Sequence, residues 1–284
     1  MKWSELGLGF FLGVFSAFQI ALFAFAFYPP ATGLVDQVLI SYLKDVLGPV
    51  FTGFGGASLG ALVAYKFQKI AESDKDFKES VHALRLVKFQ LINKLSELVS
   101  IKKLSVLPLE DRGHRFVSIG PLPESPAIKE QVDGRILNLL ADVEAAEAIQ
   151  ELLLGDQSYF ACFENFRERN KALYAFRQRA SELGLVSGKG NDFRDLLRAL
   201  EPGRIMALYS VTENMLSVLD QSIQTLDSAL KNVGDALDKK FSVEGNKRVS
   251  FEKREPHLFE NLKSPRFSPE GLEKFIEDVR SEAH

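Results

Sequence analysis

"IMALYSVTENMLSVLDQSIQTLDSALKNVGDAL", residues Ile205 to Leu237, decides the fold class. Ile205, Tyr209, Thr212, Leu216, Leu219, Ile223, Leu226, Leu230, Val233 and Leu237 alternate spacings of three and four. A stripe of that period, sustained over about five heptads, belongs to a long helix that packs knobs into holes against another helix. Its partner is a helix of the same chain or the same helix of another subunit. The intrachain choice is the more economical, because other amphipathic helices lie nearby.

Working back along the chain, Ile70, Phe77, Leu84, Leu91 and Leu98 fall every seven residues, with Val81 and Leu95 between them. No proline interrupts before Pro108, so a long helix is expected there, with a weak point at Ser73-Asp74 and with Lys88 and Lys102 interrupting its seam. Pro108, Pro121, Pro123 and Pro126 mark residues 108–134 as a loop without sustained period. Further helices are expected at 135–154, at 157–183 (with Cys162, Phe166, Leu173, Phe176, Ala180 and Leu183 in one stripe) and at 192–200. Residues 242–284 form a charged tail in which Phe241, Phe251, Phe259, Phe267 and Phe275 recur as spaced anchors. Ser268-Pro269-Glu270 is a helix start, giving a short terminal helix to about Ser281.

The N-terminal third has a different composition. Leu6 to Tyr28 is an apolar run whose only strongly polar member is Gln19. At about 1.5 Å per residue it is long enough to cross a hydrocarbon core about 30 Å thick. Leu47 to Tyr65 is a second, glycine-rich span, with Pro49 in its first turn. Between them, Leu34-Val35, Val38-Leu39, Tyr42-Leu43 and Val46-Leu47 make residues 34–46 an amphipathic connection. A cleaved signal peptide ending near Ala24-Phe25-Ala26 is the competing reading of residues 1–26, although the run exceeds the usual ~7–15 residues and Glu5 weakens its basic end.

Small residues recur at every fourth position in both spans: Gly9, Gly13, Ala17 and Ala21 in the first, Thr52, Gly56, Gly60 and Ala64 in the second. Faces cut down to backbone let helices cross closely, within one hairpin or between subunits. Lys66, Lys69, Lys75, Lys78, Arg85 and Lys88 follow the second span, whereas Lys44 is the one basic residue of the connection. The positive-inside rule therefore expects both termini on the cytoplasmic side of a bacterial inner membrane. The lone Cys162 suits a reducing compartment.

Chemical motifs are few. The net charge of -3 carries no nucleic-acid preference. Glu79 and His82 form an E-x-x-H, but His114, His257 and His284 lie in expected loop or tail and complete no di-metal set. Gly184 to Gly190 is one residue short of a phosphate loop and follows a helix where a strand is required. No cofactor or metal is expected. Arg169 lies in an apolar stripe between Phe166 and Leu173 and needs a buried partner, for which Glu144, Glu147 and Glu151 are in reach. Arg169-Asn170 resembles the arginine-polar pair of the HEPN ribonucleases, whose histidine about four to six positions on is replaced here by Tyr174, Ala175 and apolar neighbours. The resemblance therefore implies no working nuclease.

The expectation is an all-α membrane protein: a two-span transmembrane hairpin over residues 1–69, a cytoplasmic long-helix bundle over 70–241 and a partly irregular tail. Its expected function is non-enzymatic. It self-assembles or scaffolds as a homo-oligomer in the lipid bilayer, as a membrane-perturbing or pore-forming body. Gln19, Thr52 and Ser58 are too few to line a wide aqueous channel. The alternatives are a membrane-anchored signalling component that relays to a cytoplasmic protein partner and, behind it, a membrane-tethered nuclease.

Overall fold

The computed structural model describes residues 48–141, 145–185, 193–240 and 255–282, with single positions 13, 17, 20, 41 and 45 before them. Among the described residues every regular element is helical. α1 runs from Gly48 to Ile101 and passes through a π-helical turn, Lys102–Val106, into a 3-10 turn, Leu107–Leu109, where Pro108 ends the ladder. Then come α2 (Arg115–Ser118), α3 (Gly134–Ala141), α4 (Ala146–Glu182), α5 (Phe193–Ala199), α6 (Pro202–Lys240), a 3-10 turn at Pro256–Phe259 and α7 (Pro269–Ser281). The chain separates into two compact units, Met1–Lys78 and Glu79–His284.

In the first unit, the part of α1 before Glu79 keeps its described side chains exposed, apart from a half-buried Leu62. Among the described residues no helix is long and apolar enough to cross a membrane. The expected second span at 47–65 thus does not stand out as a span of its own. Thr52, Ser58 and repeated glycines dilute its apolar content, and the same helix runs straight on into charged sequence at Lys66. The expected first span at 6–28 and the connection at 34–46 lie almost wholly outside the described residues. So do Gly9, Ala21 and the side chain of Thr52; Gly13 and Ala17 are helical.

The second unit is built on α4 and α6. The pairs Ser158–Ser222, Asn165–Asn214, Arg169–Thr212 and Arg179–Glu201 run in opposite chain order, so the two helices are antiparallel. Nine of the ten stripe residues of α6, Ile205 through Val233, are buried, as their spacing requires; the side chain of Leu237 lies outside the described residues. One glycine sets the closeness of the crossing. A Cβ on Gly155 would meet the Ala229 Cβ at 3.3 Å and the Leu226 Cδ2 at 3.5 Å.

That glycine also corrects the expected break between helices at 154 and 157. Gly155-Asp156 continues α4, because the missing side chain serves packing and the following carboxylate is buried. The break comes earlier, at Ala145, whose ψ of 55° is not helical. The helix expected at 135–154 is therefore split into α3 and the first turns of α4. At its other end α4 closes on Gly184, whose φ of +75° is a left-handed conformation that favours a residue without Cβ; Leu185 N–H then reaches back to the Ala180 carbonyl at 2.9 Å. Leu183, expected on the apolar stripe, is exposed at this cap.

Two apolar clusters result. The larger joins Val81, Leu84, Leu91, Leu95 and Leu98 of α1 to Leu152, Phe163 and Phe166 of α4 and to Leu216, Leu219, Ile223 and Leu226 of α6. The smaller gathers Phe116, Leu173, Phe176, Leu197, Leu200, Ile205 and Leu208 under Leu272, Ile276 and Val279 of α7. Burial on this scale contributes about 25 cal/mol per Å² of apolar surface removed from water.

Candidate functional site

The chemistry-bearing side chains of the second unit converge on the two irregular segments that cross its surface. The first segment runs from Gly113 to Asp133 and is irregular apart from the single turn of α2. Arg169 is buried in α4 and spreads its guanidinium over that segment's main chain. It donates to the Gly120 carbonyl at 2.6 Å, to Ile119 at 2.5 Å and to Phe116 at 3.1 Å, with the Thr212 hydroxyl at 3.4 Å. The expected carboxylate partner from the start of α4 is not used; main-chain oxygens take its place. Burial lowers the Arg169 guanidinium to about 10, with Arg177 adding to the effect, so it remains charged at neutral pH.

The neighbouring residues repeat the pattern. Asn170 accepts from the Leu122 N–H at 3.0 Å and donates to the Leu122 carbonyl at 2.7 Å, reading one residue as a strand partner would. Glu97 accepts from the Ala127 N–H at 3.0 Å and from the Tyr159 hydroxyl at 2.5 Å. Lys94 is buried, donates to Asp156 at 2.5 Å and to the Glu130 carbonyl at 2.8 Å, and its ammonium lies 5.2 Å from the Tyr159 ring centroid.

The second segment is Glu255–Phe267, held in the same way. Lys102 donates to Asp220 at 2.7 Å and to the Glu260 carbonyl at 2.5 Å, and the other Asp220 oxygen accepts from the Leu262 N–H at 2.7 Å. Arg115 pairs with Glu213 through two nitrogens and donates to the Lys263 carbonyl at 2.8 Å. Burial opposes the Arg115 charge, and the Glu213 carboxylate outweighs it, leaving the guanidinium above its ordinary value. The Tyr209 hydroxyl donates to the Phe267 carbonyl at 2.5 Å. Leu258 is the buried apolar anchor, whereas Phe259 packs partly buried on the larger cluster and Phe267 stacks on Phe275 at 5.2 Å. Of the expected phenylalanine anchors, Phe241 and Phe251 lie outside the described residues.

Of these groups the sequence singled out Arg169-Asn170, and Lys102 only as an interruption. Lys94, Asp156, Arg115, Glu213 and Asp220 were missed. Their signal is weak: a lysine or an acid beside a heptad position, whose partner is 62 residues away for Lys94 and 118 away for Lys102. Glu79 and His82 are exposed, and among the described residues no group of three or more His, Cys, Asp or Glu could hold a metal ion. Cys162 is buried, and burial pushes its thiol up to about 12. Among the described residues every buried side-chain nitrogen and oxygen has a partner. The arrangement can fasten extended chain to helices; its buried charges are engaged in doing so. No known protein family, curated protein or solved structure matches the chain.

Proposed function

We propose that the chain is a non-enzymatic bacterial inner-membrane protein that self-assembles as a homo-oligomer. In this reading the apolar segments 6–28 and 47–65 anchor it as a hairpin, and both termini and the helical bundle lie on the cytoplasmic side. The assembly is the function, as a scaffold or a membrane-perturbing body, and needs no cofactor and no nucleic acid.

One observation carries the reading. The glycine-rich start of α1 is apolar and bare: Leu59, Val63 and Tyr65 are exposed, and among the described residues nothing lies within 4 Å of a Cβ added at Gly53, Gly56 or Gly60. Helices in proteins owe most of their stability to packing of an apolar face, so such a stretch calls for lipid or another helix. The fully engaged buried charges of the bundle support a structural role over a catalytic one.

The test is fractionation of full-length protein followed by mass measurement in mild detergent, for the native chain and for Gly56→Leu with Gly60→Leu. The expected result is recovery with the membrane, a mass of two or more chains, and loss of the assembly in the double variant. A monomer in the membrane, or an assembly indifferent to both leucines, would remove the reading. The unbroken passage of α1 from Gly48 to Ile101 favours a second reading, a membrane-anchored signalling component relaying to a cytoplasmic protein partner.

A further inference from the structure

Beyond Tyr65, α1 changes character without changing conformation. Lys66, Lys69, Glu72, Lys75, Asp76 and Lys78 cover most of its circumference, and one stripe stays apolar but for Asp74. Gly56, Val63 and Ile70 stand seven apart, with Gly60 and Phe67 between them, so all five share one face of the helix. Val63 is 50% exposed, Phe67 69% and Ile70 58%. Carried on through Phe77, the same register reaches Leu84, Leu91 and Leu98, with Val81 and Leu95 between, and these five are buried in the larger apolar cluster, the half-buried Lys88 alone interrupting them. One heptad seam is thus a packed core at its C-terminal end and bare at its N-terminal end.

We propose that the bare seam, Gly56 to Ile70, is where a second copy of this chain docks, α1 on α1, parallel and in register. This rests on the assembly reading above, which holds all copies the same way up. Continuity with the packed seam identifies the occupant as a helix, since spacings of three and four serve helix pairing. A bilayer does not suit the stretch beyond Lys66, where charges occupy the other faces. Small residues at Gly56 and Gly60 let two backbones approach closely, and larger side chains take over at Val63, Phe67 and Ile70. The flanks are compatible with self-pairing: in a parallel pair Lys66 of one copy faces Ala71 of the other, and Ser73 faces Lys78. Asp74 alone sets like charge against like on the seam.

The test uses full-length protein in native membranes, with single cysteines introduced at Phe67→Cys and Ile70→Cys on the seam and at Gln68→Cys and Glu72→Cys on the opposite face. Native Cys162 stays silent because it is buried. Oxidation is expected to cross-link the seam variants several-fold more than the others. Asp74→Leu is expected to raise the assembled fraction and Ile70→Glu to lower it at least tenfold, with helical circular dichroism unchanged since both positions are exposed. Preferential cross-linking at 68 or 72, or equal cross-linking all round, in a protein still oligomeric in detergent would overturn the seam and leave the assembly reading standing. A monomeric mass would overturn both.

Discussion

Arg169 illustrates how a single side chain acts across this protein. Its planar fork matches several carbonyls at once, a task for which a lysine ammonium has the wrong geometry. Replacing it by methionine leaves the Phe116 and Ile119 carbonyls buried, and the Gly120 carbonyl half-buried, without their donor. Arg169→Met is expected to lower unfolding free energy by about 3–5 kcal/mol in urea titration. Arg177→Met, at an exposed position, should change it by no more than about 0.5 kcal/mol. Tyr159 gives a pH signature. Burial first, and Glu97 after it, hold its hydroxyl well above the ordinary 10.0, so the folded state keeps a proton that the unfolded state releases. The stabilisation is complete below pH 10.0 and is lost as pH rises beyond it. Tyr159→Phe should cost about 1–2 kcal/mol at neutral pH. The gap between the two proteins should narrow in chemical denaturation above pH 10.0, and a constant gap would count against this role.

At the scale of elements, α4 and α6 form the frame and the two irregular segments are fastened to it by charged side chains that read main chain. Lys102 and Asp220 hold each other and also the Glu260 carbonyl and the Leu262 N–H. Lys102→Met strands a buried carboxylate and should cost about 3–5 kcal/mol, whereas Lys102→Met with Asp220→Leu should cost distinctly less than the sum of the single changes. Hydrogen exchange should quicken around 255–263 in all three variants. Protection there equal to the native protein would show that Leu258 and its apolar neighbours hold the segment unaided. The helices were legible from their periodicity: α6, the Ser268 cap of α7 and the run of α1 past Lys69 all follow from spacing and capping. The course of the chain over 145–157 was not legible. A glycine followed by an aspartate is the usual sign of a turn, and only the approach of α6 to Gly155 and of Lys94 to Asp156 makes helix the better solution.

At the scale of the whole second unit, its two apolar clusters make separable contributions. α7 covers the smaller one with Leu272, Ile276 and Val279, and Arg280 caps the Leu197 and Leu200 carbonyls beneath. A chain stopped after Ser268 should lose amide protection in α5 and the first turns of α6 while keeping it from Ser217 onward, as read by hydrogen exchange with mass spectrometry. Uniform loss along α6 would mean the clusters melt as one.

By itself the sequence determined that the described part of the chain is helical, where α1 past Lys69 and α6 run, and that the stretch before Lys66 is largely apolar and rich in small residues. These are consequences of local spacing, because a helix places every third or fourth residue on one face whatever lies opposite. Only the tertiary structure decided which polar residues are buried, and with what. Burial depends on segments far apart in the chain meeting, and a charge such as Lys94 or Asp220 reads as solvated surface until its partner is brought to it.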